Sequence, residues 1–185
     1  WSYFAQALGQ SGRSLVGNAG LISKVYFPRL VIPLVAVSSP LVDFAVSFLV
    51  LLGMMVWFSV TPTWGVLLLP VFLLLAALTA FAVGLWLSAL NVRYRDVSQL
   101  MPFLVQVWMY ASPVIYPVST IPEKWRLLYS LNPMVGVIEG FRWALLGKSS
   151  PDFTVMAVGS AIVLLLLAGG LVYFKRVESS FADVI

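Results

Sequence analysis

The chain has 185 residues, of which 61% are hydrophobic and 10% charged, with a formal net charge of +4 and neither Cys nor His. An ordinary globular domain carries roughly 25% charged residues, so this composition cannot cover a water-facing surface, and a mean hydropathy of +1.00 points to lipid as the solvent. The missing Cys and His exclude thiol chemistry, disulfides, zinc sites of the usual kind and histidine-ligated haem.

Residues 1–13 open on an apolar stretch too short to span, without the basic leader of a secretory signal. They read as the end of a span whose beginning lies outside this sequence. Residues 14–29 form a basic elbow. Asn18 is placed to cap a short helix, Leu21, Ile22 and Val25 fall on one face, and Pro28 biases Phe27 out of helical geometry. A helix lying on lipid head groups fits this pattern, and so does a docking surface for a soluble partner, the reading adopted here.

Four apolar runs follow, at 30–60, 65–90, 97–118 and 153–174. A hydrocarbon core about 30 Å thick needs about 20 apolar residues in helical form, and each run meets that length. Backbone groups in lipid must be satisfied within the segment, so the runs are helices and not strands. Asp43 is the one acid deep within a run. It reads as a pathway residue or, more simply, as a packing hydrogen bond to Ser47 or a neighbouring span. Between the second and third runs lies a tight basic turn, 91–96, with Arg93 and Arg95. In the third run, Gln99, Gln106 and Tyr110 fall close to one helical face, with Trp108, Ser112 and Tyr116 nearby. Amides and aromatic faces suit sugar rings, but such a stripe also suits helix packing, and the residues alone leave both readings open.

The segment 119–148 is predicted to hold two short helices. Thr120 and Glu123 fit a capping box opening a helix over 121–131. Asn132 and Pro133 break it, and a second helix over 134–146 ends at Gly147, with Glu139 and Arg142 spaced to pair. Neither is long enough to cross, which predicts a re-entrant hairpin, a lid on the outer side. A hairpin lying on the outer interface is the plainer alternative. Gly147-Lys148-Ser149 is not a phosphate-binding loop, because the pattern needs Gly where Arg142 stands. No nucleotide site is expected in this chain.

Lysine and arginine placement sets the orientation. One side receives Arg13, Lys24, Arg29, Arg93, Arg95, Lys175 and Arg176, the other Lys124, Arg126, Arg142 and Lys148. The first side, with the tail 175–185, is cytoplasmic by the positive-inside rule. Trp57 and Trp64 then mark the outer interface and Tyr173 the inner one.

Several stretches in order carry a family resemblance: LISKVYFPR at 21–29, LVDF at 41–44, NVRYRD at 91–96, SPVIYP at 112–117, LNPM at 131–134 and the closing FADVI at 181–185. The chain resembles the membrane subunit of type-2 ABC exporters, in the branch that exports O-antigen, capsule or teichoic acid. That resemblance implies an all-α polytopic transmembrane bundle, a single domain over 1–185, with a re-entrant helical hairpin between the last two spans. It implies that Leu21, Ile22, Lys24, Val25, Tyr26, Phe27, Pro28 and Arg29 dock on an ABC ATPase subunit, with Arg93 and Arg95 on the same side. Gln99, Gln106, Trp108, Tyr110 and Tyr116 would line the conduit, and Glu123, Asn132, Pro133, Glu139 and Arg142 would belong to the gate.

Further implications are a homodimer in the bacterial cytoplasmic membrane, a lipid-linked polysaccharide as substrate, and contact with membrane lipid but not with nucleic acid. The chain itself would need no cofactor, ATP and magnesium being held by the partner ATPase. Rival readings are a type-2 permease for a small drug or lipid, a passive channel, and a membrane transferase. The last would need clustered acids, where only Asp43, Asp96 and scattered loop acids are present.

Overall fold

A computed structural model describes residues 1–22, 24, 27–147 and 152–178, and every regular element among them is helical. In chain order these are α1 (Ser2–Gly17), α2 (Ala19–Ile22), α3 (Val31–Ser38), α4 (Leu41–Trp57), α5 (Leu69–Arg93), α6 (Val97–Tyr110), α7 (Glu123–Tyr129), α8 (Pro133–Leu146) and α9 (Phe153–Val177). Single 3-10 turns at Trp64–Leu68 and Val118–Thr120 precede α5 and α7. The predicted all-helical membrane fold is the observed one. Val31–Trp57, Trp64–Arg93 and Phe153–Val177 are long and apolar enough to cross a membrane.

The third predicted span departs from that length. Its helix, α6, has 14 residues, a rise of about 21 Å at 1.5 Å per residue. Pro113 and Pro117 lack the N–H groups that would continue it, and the chain turns from Ala111 onward. The first run is also interrupted. Pro40 has no N–H to give the preceding turn, so α3 ends at Ser38 and α4 begins at Leu41. The break places Asp43 in the first turn of α4, where the helix dipole favours a negative charge. Ser47 Oγ donates to the backbone oxygen of Asp43 at 2.8 Å. Asp43, for which the sequence offers a pathway role or a packing hydrogen bond to Ser47 or a neighbouring span, is exposed.

The core is built around α5. On one side α1 crosses it where Ser11 meets Gly84, and Ser11 is fully buried. Two residues on, about 200° round the helix, Trp86 faces α9: its Nε1 donates to Leu166 O at 3.0 Å and its ring stacks on Tyr173 at 4.9 Å. Gly169 and Gly170 leave room for that indole. Small residues that let helix backbones approach are the usual means of packing in lipid, where apolar surface gains nothing by leaving the solvent. Tyr173, expected as an interfacial anchor, is thereby partly buried in a helix contact, while Trp57 and Trp64 are fully open.

Leu15, Ile22, Ile32, Leu85, Ala89, Val92 and Phe174 form a cluster at one end of the bundle. At the same end lie Arg13, Arg29 and the Arg93–Arg95 turn, from three separate parts of the sequence: Arg13 Nη2 donates to Ser98 O at 3.2 Å, and Arg29 Nη1 donates to Glu178 O. At the opposite end Met55, Leu69, Phe72, Ala144 and Leu145 pack together. There Thr63 Oγ1 donates to Ala144 O at 2.8 Å.

Local boundaries differ from the sequence reading in three places. α1 continues to Gly17, so 14–17 belong to it and not to the elbow. Asn18 closes α1, its Nδ2 donating to Ser14 O at 2.8 Å, and does not cap a following helix through its side chain. α7 starts at Glu123 behind Pro122 with no side-chain cap, because Thr120 is taken up in the preceding 3-10 turn. The second short helix agrees with its predicted limits to one residue.

Gly147 ends α8 in the left-handed region, φ 65° and ψ 5°, and its N–H donates to Trp143 O at 2.9 Å. A Cβ there would also stand 3.0 Å from Thr63 Cγ2. Gly147→Ala is expected to lower stability by about 1–2 kcal/mol, read as an earlier thermal unfolding midpoint of the detergent-solubilised protein.

Candidate functional site

α6 presents two faces of different character. Gln99, Phe103, Gln106 and Tyr110 lie on its open side, all exposed. Helical spacing puts them in one row. Trp108 lies elsewhere on the helix, its ring edge-on to Phe4 of α1 at 5.1 Å and its Nε1 donating to Asn132 Oδ1 at 2.9 Å. Tyr116 lies beyond the helix and is half-buried; its hydroxyl donates to Tyr110 O at 2.9 Å and meets Tyr129 OH at 2.9 Å. The five residues predicted to line a conduit are therefore split. Three share the open face, and two face the joint between α6 and the hairpin.

That joint is made of polar side chains meeting backbone carbonyls that α6 no longer uses. Asn132 Nδ2 donates to Ala111 O at 3.1 Å and to Ser112 Oγ at 2.9 Å, while its Oδ1 accepts from Met134 N at 3.1 Å. Arg142 Nη2 donates to Pro113 O at 2.8 Å, and Nη1 pairs with the Glu139 carboxylate as the i,i+3 spacing predicts. Helix-terminal carbonyls have no partner within the helix, and here Asn132 and Arg142 supply one to Ala111 O and Pro113 O. Burial, and then the hydrogen bond with Tyr116, push the Tyr129 phenol upward, so Tyr129 stays neutral at ordinary pH.

α8 itself is part of the bundle. Met134, Val135, Val137, Ala144 and Leu145 are buried. Gly136 lies against Met156 of α9, Gly140 against the Phe72 ring of α5, and Gly159 of α9 against Pro133. α7 is the outlying half, with Trp125 and Leu128 exposed.

At the basic end, Leu21 is 46% exposed and Ile22 7%, so the two point to different sides and only Leu21 is available to a partner. Lys24 and Pro28 are exposed, and Phe27 and Arg29 are half-buried. Val25 and Tyr26 of the predicted docking segment lie outside the described residues, as do the side chain of Glu123, Lys148 and Ser149 of the rejected phosphate loop, and the closing 181–185 stretch. Arg93 and Arg95 are exposed, with the Arg93 guanidinium 5.6 Å from the Tyr94 ring centre.

Two features escaped the sequence reading. Asn91, 1% exposed, donates through Nδ2 to Gly12 O at 3.2 Å and accepts from Ser98 N at 3.1 Å, which ties α1, α5 and the start of α6 together. An amide directly after a long apolar run was the available signal. A cleft of about 810 Å³ also opens between α1, α3 and α6, with Gln6, Gln10 and Arg13 on α1 facing Val31 and Val35.

Three helical stretches long and apolar enough to cross a membrane define a polytopic membrane protein. The sequence matches the ABC-2 type transporter membrane family over residues 4–146. It is similar to the O-antigen export system permease protein RfbA of Myxococcus xanthus, 31% identical over 188 residues, covering 100% of this chain and 72% of that protein. The RfbA of Klebsiella pneumoniae is 26% identical over 190 residues, covering 100% and 71%. The inner membrane transport permease YadH of Escherichia coli K12 is 26% identical over 106 residues, 57% of this chain and 41% of that protein. The chain belongs to the ABC-2 type transporter family: it is a transport subunit and a multi-pass protein of the bacterial inner membrane.

Proposed function

We propose that the chain is the permease subunit of an ATP-driven exporter that moves a lipid-linked polysaccharide of the O-antigen, capsule or teichoic acid type across the cytoplasmic membrane. The observation that carries this reading is similarity along the whole chain to permeases named for O-antigen export. The row Gln99, Phe103, Gln106 and Tyr110 supports it physically. These side chains stand open on a segment that lipid alone would prefer aliphatic, and they offer donors, acceptors and ring faces to sugars.

In this reading two copies flank one conduit, and a separate ABC ATPase binds ATP and magnesium below. Residues 21–29 dock on that ATPase. Its nucleotide state biases two arrangements of the helices, and residues 120–146 seal the outer end. A small-drug or lipid cargo is disfavoured by the amides on the open face.

Single cysteines test the conduit, since this chain has no native Cys. Labels at Gln99, Gln106 and Tyr110 in the full-length permease should react with a water-soluble thiol reagent on the order of tenfold faster than labels at Leu164 and Leu165 of α9, which are exposed and aliphatic. Added polymer should slow the first set. Equal rates at both sets would end the conduit assignment.

A further inference from the structure

We propose that Asn132 is a positioning residue that joins α6 to the outer hairpin, so that movement of α6 is delivered to the hairpin and the outer end is held shut at rest. The inference rests on the reading of 120–146 as the outer seal. Its basis is the way one carboxamide is used. Oδ1 accepts from the indole N–H of Trp108 and the backbone N–H of Met134, while Nδ2 donates to Ala111 O and Ser112 Oγ. The indole and backbone N–H groups can only donate, so the oxygen must face them and the amide has one possible orientation. Two donors and one acceptor with two lone pairs are thus fully engaged by α6, by the turn after it, and by the start of α8.

No other residue type of this size reproduces the set. Leucine would leave the part-buried indole N–H of Trp108 and the Ala111 carbonyl without their protein partner. Aspartate keeps the accepting half, but its second oxygen, when ionised, faces the Ala111 carbonyl and repels it.

The mechanical consequence follows from what each side is attached to. α8 is seated on α5 and α9 by the close contacts at Gly136, Gly140 and Gly159. The start of α6 is held at Ser98, whose N–H is taken by Asn91 Oδ1 and whose carbonyl is taken by Arg13. A push on α6 at its basic end therefore reaches the hairpin through the Asn132 amide, assisted by Arg142 on Pro113 O. Pro133 sets the angle between α7 and α8; Asn132 sets the register of both against α6.

The test uses the full-length permease with its partner ATPase in proteoliposomes. Spin labels are placed on cysteines substituted at Val107 of α6 and Leu128 of α7, both exposed, and carboxyfluorescein is trapped inside. The unmodified joint should give one narrow distance distribution and slow dye efflux. In Asn132→Ala the displaced population should rise on the order of tenfold, as loss of a hydrogen bond worth about 1 kcal/mol or more predicts, and efflux should rise with it.

Asn132→Asp should be broad at neutral pH and narrow again as pH falls toward about 4, where the protonated carboxyl regains one donor. A packing defect would not recover in that way. Trp108→Phe keeps the ring against Phe4 and removes only the N–H, so it covers the case in which Asn132→Ala fails to insert and should show a smaller broadening. Distance distributions unchanged in Asn132→Asp and Trp108→Phe would overturn the proposal. Broadening without efflux would uphold the joint and overturn the reading of the hairpin as the seal.

Discussion

Gly84→Ala is expected to lower the stability of the solubilised protein by about 1–3 kcal/mol and to reduce its yield in the membrane. A Cβ at this position would stand 2.3 Å from Ser11 Oγ and 2.7 Å from Ser11 Cβ. The hydroxyl can rotate away, but Ser11 Cβ is fixed to α1, so α1 and α5 must separate along a crossing that is fully buried. Separation forfeits close packing, the main attraction between helices in lipid. A second substitution isolates the cause. With Gly at position 11 the nearest Ser11 atom left is Cα, 3.9 Å away, an ordinary contact. Ser11→Gly combined with Gly84→Ala should recover most of the lost thermal stability. Ser11 Oγ is buried without a hydrogen-bond partner, so removing it forfeits no polar contact. A double variant as unstable as Gly84→Ala would mean that the strain lies elsewhere.

Leu21→Glu in the full-length permease is expected to lower ATP-coupled export at least tenfold, roughly 1.4 kcal/mol of coupling, while membrane insertion stays normal. Leu21 is open at the basic end, whereas its neighbour Ile22 is buried in the cluster with Leu15 and Phe174. The exchange therefore changes a surface and spares the core. A carboxylate at a docking contact must be desolvated without a partner, which is costly. Ile22→Glu serves as contrast and should fail at folding instead. The measurement is co-purification of the ATPase together with polymer exported per ATP hydrolysed. Wild-type values for Leu21→Glu would remove 21–29 from the docking surface.

The parts of this molecule legible in its sequence are those governed by local sums. Hydropathy over 65–90 and 153–174 specified α5 and α9, since a helix that satisfies its own backbone needs no neighbour to be recognised. The second hairpin helix was legible for a similar reason. Its signals, Asn132 before Pro133 at the start and Gly147 at the end, act through backbone atoms a few residues away. The third run was misjudged in length because hydropathy counts Val114 and Ile115 as continuing it, whereas Pro113 and Pro117 withdraw the donors a helix needs. The capping box at Thr120 had the right spacing, but a 3-10 turn claimed the residue first.

Sequence by itself determined that this is an all-helical membrane protein, where its basic end lies, and which residues on α6 are unusual for lipid. It also carried the family, through several short motifs in one order. Only the tertiary structure decided which of those unusual residues face outward and which form a joint. Gln106 and Trp108 are two positions apart, yet one is open and the other is bonded to Asn132, 24 residues away. The physical reason is that a hydrogen bond from a side chain to a distant side chain or backbone carbonyl leaves no trace in hydropathy or periodicity. Its partners are chosen when the chain closes on itself, and the Ala111 and Pro113 carbonyls are available to Asn132 and Arg142 because the helix that would have used them stops.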